Sequence, residues 1–143
     1  LAILRTFWGI ARRDRRFLQP VTIAVQRNDE PPVPACNILF MVVSGLERMY
    51  FGLQPYWGSG DGALRTTLVR DDAERFLRSM PALLRGRPKR HMTEAKGYSS
   101  YNVDRIRLTM DGMWALDGEL HQASTGNGPV TISNAATMTF VRV

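Results

Sequence analysis

Residues Trp114-Ala115-Leu116-Asp117-Gly118-Glu119-Leu120 set two carboxylates around a glycine inside an apolar stretch. On a β-strand, residues i and i+2 share a face, so Asp117 and Glu119 would project together. Two carboxylates on one rigid face can share a proton, a metal or a substrate hydroxyl, which is acid–base chemistry. The same residues admit a second reading. Asp-Gly is a strong signal for a two-residue hairpin turn. The preceding dipeptide Asp111-Gly112 is also of turn type. If it joins a strand over 103–110 to a return strand over 113–117, a second hairpin six residues later leaves a very short strand. A strand that continues or bends through Gly118 then becomes an alternative, since glycine in a strand marks a bulge or a close approach.

Gly58-Ser59-Gly60-Asp61-Gly62 is the other candidate. A glycine-rich run with one carboxylate can cradle phosphate, or hold Mg²⁺ through Asp61 and neighbouring carbonyls. No Lys-Ser/Thr follows it, so it is not a P-loop, and no helix follows it, so it is not a dinucleotide fingerprint. His91 and His121 have no metal partners at a recognised spacing and read as surface or structural residues. Cys36 is the only cysteine, which excludes an intrachain disulfide and suits a reducing compartment. It reads as a buried core residue rather than a nucleophile.

These residues need a scaffold. The chain has 143 residues with 44% hydrophobic content, enough for one domain with a core. No apolar run approaches membrane-spanning length. Residues 1–16 carry Leu1, Leu4, Phe7, Trp8 and Ala11 at helical spacing, and Pro20 ends the pattern. The period then changes to two over Val21–Val25. Asn37–Ser44 reads as a buried strand, 50–62 as irregular, and Ala63–Arg70 as a strand with Leu64, Thr66 and Leu68 on one face. Asp71 or Asp72 can cap a helix over about 72–85, with Pro81 as a kink and Gly86 as its stop. Val103–Met110, Met113–Asp117, Val130–Ser133 and Thr137–Val143 complete the strands. The expected fold is mainly β, a β-sandwich with one or two helices: a helical or linker segment over 1–19 and the sandwich over 20–143.

The net charge is +6, and Lys89 and Lys96 are the only lysines among 19 basic residues. Arg12, Arg13, Arg15 and Arg16 form one cluster; Arg85, Arg87, Lys89, Arg90 and His91 form another. A basic balance suits a polyanion, and a plain solvated face accounts for it equally well.

The order of these pieces resembles a known family. Tyr56-Trp57-Gly58 and Gly60-Asp61-Gly62-Ala63-Leu64 precede Pro81-Ala82-Leu83-Leu84-Arg85-Gly86. Leu116-Asp117-Gly118-Glu119 and Val130-Thr131-Ile132-Ser133 follow. From about Val21 to Val143 the chain is similar to the C-terminal half of bacterial diacylglycerol kinase/sphingosine kinase-like lipid kinases. The resemblance implies the β-sandwich domain of a two-domain enzyme, with the nucleotide loop on an N-terminal domain absent from this chain. It implies an activity dependent on ATP and Mg²⁺, a lipid hydroxyl of diacylglycerol or sphingoid type as acceptor, and no activity for this part alone. Glu119 would be the base and Asp117 its partner, with the two roles exchangeable. Asp61, with the carbonyls of Gly58 and Ala63, would hold a structural Mg²⁺, although Arg65 departs from the acidic residue usual in the family. A cytoplasmic enzyme at the inner membrane face is implied, with the arginines meeting anionic lipid. Nucleic acid is not expected as a partner, and a homodimer is open. The rival reading is a non-catalytic β-sandwich module that binds anionic lipid or another polyanion.

Overall fold

A computed structural model describes residues 19–135. The helix expected over 1–16 and the strand expected over 137–143 lie outside them. The domain is mainly β. Its strands are β1 (Val21–Arg27), β2 (Cys36–Ser44), β3 (Leu64–Arg70), β4 (Tyr98–Val103), β5 (Arg105–Met110), β6 (Gly112–Leu116), β7 (Glu119–Ala123) and β8 (Val130–Ser133). One α-helix, α1 (Phe76–Leu84), lies between β3 and β4. The main sheet is antiparallel, six-stranded and ordered β4-β3-β2-β1-β5-β8; β6 and β7 pair only with each other.

The connection from β4 to β5 decides the shape of this sheet. Asp104 alone separates them, yet three strands lie between them in the ladder. The sheet must therefore coil until the ends of β4 and β5 meet. The Asn28 side chain seals that corner: its Oδ1 accepts from the backbone N–H of Asp104 (3.0 Å) and Arg105 (3.1 Å). The Arg27 guanidinium of β1 lies 4.9 Å from the ring centroid of Tyr101 on β4, across the coil.

Alternation along the strands gives the sheet two apolar faces. Ile23, Val25, Ile38, Leu64, Val103, Ile106, Leu108 and Met110 fill the enclosed face, and Trp114 and Ala123 bring the β6–β7 hairpin over it as a second layer. On the other face, Phe76 and Leu83 of α1 pack with Val69, Met92 and Tyr98. A β-bulge between Ile38 and Phe40 lets both Leu39 and Phe40 reach that second cluster.

Several expectations need correction. The strand over 37–44 is not buried throughout: Ile38 is buried, and most of the rest is half-exposed. The stretch 103–110 is not one strand; the chain turns at Asp104 from an edge strand into the sheet's interior. The helix starts at Phe76 rather than near 72, and neither Asp71 nor Asp72 caps it. Arg75 occupies the cap in a left-handed conformation without a side-chain hydrogen bond. Asp72 pairs instead with Arg70 (2.9 Å), and Asp71 accepts from Asn37. Pro81 sits inside α1 without ending it.

Candidate functional site

Asp111-Gly112 does not form the expected hairpin. β5 pairs with β1 and β8, never with β6. The Asp111 carboxylate instead accepts from the N–H and Oγ1 of Thr125, at 2.8 and 3.2 Å. This ties the start of β6 to the end of β7, so the chain leaves the sheet at Gly112 and returns after Ala123.

The hairpin turn falls at Asp117-Gly118. Asp117 has φ +49° and Gly118 φ +89°, and Leu116 pairs with Glu119 across the turn. Positive φ at both central positions is the type I′ geometry that Asp-Gly favours, because its twist matches that of the flanking strands. The alternative of a strand running through Gly118 with Asp117 and Glu119 on one face is therefore overturned. Asp117 stands at the tip, and Glu119 opens the return strand. Both are exposed, and among the described residues neither forms an ion pair or accepts a side-chain hydrogen bond. Below the tip, Trp114 and His121 stack on the sheet-facing side with ring centroids 5.0 Å apart. On the outer side Leu120 is 71% exposed and Met113 is also exposed.

Asp61, Gly58 and Ala63 lie elsewhere, on a strap along the free edge of β4. Ser59 bridges Tyr101 in parallel, the Asn102 N–H donates to the Ser59 carbonyl (3.1 Å), and Asn102 Nδ2 donates to the Gly60 carbonyl (3.0 Å). The alternating glycines have a packing reason. A Cβ on Gly58 would meet the backbone of Ser100 and Tyr101, one on Gly60 the Asn102 carbonyl, and one on Gly62 the backbone of Val103. Ser59 and Asp61 are exposed. The run covers an otherwise unpaired sheet edge. Thr67 and Ser100 fix its start: Ser100 Oγ accepts from the N–H groups of Trp57 and Gly58 and lies 2.9 Å from Thr67 Oγ1.

The metal reading can be weighed on these contacts. Among the described residues no group of three or more His, Cys, Asp or Glu side chains could hold a metal. Asp104, the carboxylate beside the strap, accepts from the Ala63 N–H (3.2 Å). Asp61 is one exposed carboxylate, a hard-oxygen donor of the type Mg²⁺ takes, and alone it would suit a hydrated ion rather than an all-protein cage.

A groove of about 230 Å³ lies along β4, lined by Arg27, Trp57, Met92, Glu94 and Tyr98 to Tyr101. Neither Asp117, Glu119 nor Asp61 lines it. Inside the coil, Tyr101 Oη and Thr66 Oγ1 are buried without a hydrogen-bond partner. The Arg27 Nε lies 3.2 Å from a Glu30 oxygen, outside hydrogen-bonding geometry. Burial pushes the Tyr101 phenol up to about 12, and the Arg27 charge opposes the rise. Folding therefore favours the neutral phenol. That stability is present in full below pH 10, the ordinary tyrosine value, and is lost as pH rises toward 12. A loss of about 2–3 kcal/mol over this window is expected in urea titrations. Tyr101→Phe should remove that part of the loss and, by deleting an unpartnered hydroxyl, add about 1 kcal/mol at neutral pH.

Two further groups resolve simply. His91 Nε2 lies 2.7 Å from the buried Ser79 Oγ, tying the basic segment after α1 to the helix. Cys36 is half-buried rather than fully buried, and burial raises its thiol pKa, as expected of a packing residue. Sequence reasoning read 50–62 as irregular but missed that the loop between β2 and the strap presents Leu46, Arg48 and Phe51 to solvent. Its mixture of aromatic, glycine and arginine residues was the available signal. Among the described residues no helix is long and apolar enough to cross a membrane. Comparison with protein-family models, curated proteins and solved structures returns no match to this chain.

Proposed function

We propose that this chain is the β-rich, carboxylate-bearing part of an ATP- and Mg²⁺-dependent lipid kinase that acts at the inner membrane face. The observation that carries the reading is the Asp117-Gly118-Glu119 turn. It holds two carboxylates at the tip of a hairpin anchored by Trp114 and Ala123, with no partner among the described residues. A site completed by a second domain would need carboxylates held on an ordered turn and open to a group from outside. The order of motifs from Tyr56 to Ser133 supports it.

In this reading a separate domain would hold the nucleotide, and Asp61 would hold Mg²⁺ on the strap. Bound Mg²⁺ and ATP would supply charge neutralisation and the phosphoryl group. The chain's own part is to position and deprotonate the acceptor. Glu119 takes the proton of the lipid hydroxyl as its oxygen bonds to the γ-phosphorus of ATP and the bond from that phosphorus to ADP breaks, ADP departing, while Asp117 orients the hydroxyl.

The test uses the longest reading frame containing this chain, supplied with Mg²⁺, ATP and vesicles carrying diacylglycerol or a sphingoid base. Glu119→Gln is expected to lower kcat by about 10²–10⁴-fold, with thermal unfolding unchanged because the side chain is exposed. Parent-level turnover in that variant would remove Glu119 from the mechanism. No phosphoryl transfer to either lipid would remove the kinase reading. The second reading, a module binding anionic lipid, draws on the cations exposed around α1: Arg75, Arg78, Arg85, Arg87, Lys89 and Arg90. It predicts vesicle binding without any ATP turnover.

A further inference from the structure

The loop between β2 and the strap combines two unfavourable features with no compensation inside the domain. Phe51 is 87% exposed and holds a left-handed backbone at φ +62°, ψ +20°. Leu46 is 64% exposed on the same loop. A β-carbon is crowded in that conformation, and water penalises both side chains. Strain combined with exposure points to a task outside the fold.

The loop is nevertheless held in place. Leu46 N–H donates to Ser44 Oγ (2.9 Å), Met49 N–H to the Leu53 carbonyl (2.8 Å), and Gly52 N–H to the Met49 carbonyl (3.2 Å). Its stem joins the end of α1: Gln54 N–H donates to the Leu84 carbonyl (3.0 Å), and Gly86 lies against the carbonyls of Gln54 and Tyr56. Arg85 and Arg87 flank that junction, and Arg48 lies on the loop itself. All three are exposed and have no carboxylate partner among the described residues. The one acid on the loop, Glu47, is paired with Arg65 at 2.8 Å. The loop therefore exposes two large apolar side chains, and the guanidinium groups on it and at its stem are uncompensated among the described residues.

We infer that this surface docks the protein on an anionic phospholipid bilayer. Leu46 and Phe51 enter the boundary between headgroups and acyl chains, and Arg48, Arg85 and Arg87 stay with the lipid phosphates. An aromatic ring alone could also stack on a base, but an exposed aliphatic Leu46 on the same loop gains nothing from a polynucleotide. The surface uses residues separate from Asp117 and Glu119. It provides the membrane contact that a lipid kinase needs, and it stands without that activity.

The test is sedimentation of the chain with phosphatidylcholine vesicles, with and without phosphatidylserine, in the absence of nucleotide. Binding should require phosphatidylserine. Phe51→Gly should weaken it about tenfold, and Arg85→Gln with Arg87→Gln about 25-fold together, fivefold for each charge. Phe51→Gly should keep or raise Tm, since glycine accepts the left-handed backbone. Equal binding to both vesicles, or parent-level binding by Phe51→Gly, overturns the proposal. So does a fall in Tm, which would place Phe51 in the fold. Binding of a single-stranded oligonucleotide that Phe51→Gly abolishes, with no vesicle binding, would assign the surface to a polynucleotide instead. A protein that binds vesicles but phosphorylates no lipid would sustain this inference and end the kinase reading.

Discussion

Gly62→Ala is expected to lower the unfolding free energy by about 3 kcal/mol. Its Cβ would fall on the backbone of Val103, which cannot rotate away as a side chain could. Val103 is itself buried and pairs with Leu64 on β3, so yielding there disturbs the enclosed core as well as the strap. Release of the strap would also free the Asn102 N–H from Ser59. The checks are a lower urea midpoint and faster hydrogen exchange at Asn102. Two other glycines calibrate the result. Gly45→Ala meets nothing within 4 Å and should be nearly neutral. Gly118→Ala has equal room but keeps φ +89°, so it should cost about 1 kcal/mol in strain alone. If all three variants behave alike, close approach of the strap to β4 is not what these glycines serve.

Leu83→Ala should cost a similar amount, about 3 kcal/mol. Leu83 is fully buried where α1 meets Val69 and Tyr98, and α1 has few other anchors. Phe76 and Ser79 are its other buried residues, and Pro81 contributes no N–H within it. The effect should spread to the neighbouring loop stem, because Gln54 donates to the carbonyl of Leu84. Hydrogen exchange at Gln54 should therefore rise with the loss of stability. Leu77→Ala, on the exposed side of the same helix, should stay within about 0.5 kcal/mol. A neutral Leu83→Ala would mean that the helix is not needed to close the second face.

The two Asp-Gly dipeptides look alike in sequence and behave differently. Asp117-Gly118 turns the chain because the strands on either side pair with each other. Asp111-Gly112 does not, because β5 already has β1 and β8 as partners. Turn preference is local, and the availability of a pairing partner is not. The glycine run shows the same division. Its spacing in sequence suits a phosphate cradle as well as it suits an edge strap. The groups that choose between them, Ser100 to Val103, lie some forty residues away. β4 escaped notice because Ser99, Ser100 and Asn102 hide its period, and polar side chains are tolerated there by Thr67 and the strap.

Sequence alone determined the mainly β class, the period-two strand at Val21–Val25 and a helix around Pro81, and it offered Asp117-Gly118 as a turn beside the reading of a continuing strand. Each follows from side-chain periodicity or backbone preference within a few residues. Tertiary structure decided the coiling of the sheet at Asp104, the use of Gly58–Gly62 as an edge strap, and the separation of Asp61 from Asp117 and Glu119 onto different elements. It also decided the exposure of Phe51 on a loop whose stem meets the end of α1. Those outcomes depend on which distant strands find each other and on what surface remains uncovered afterwards, and neither is encoded at any one position.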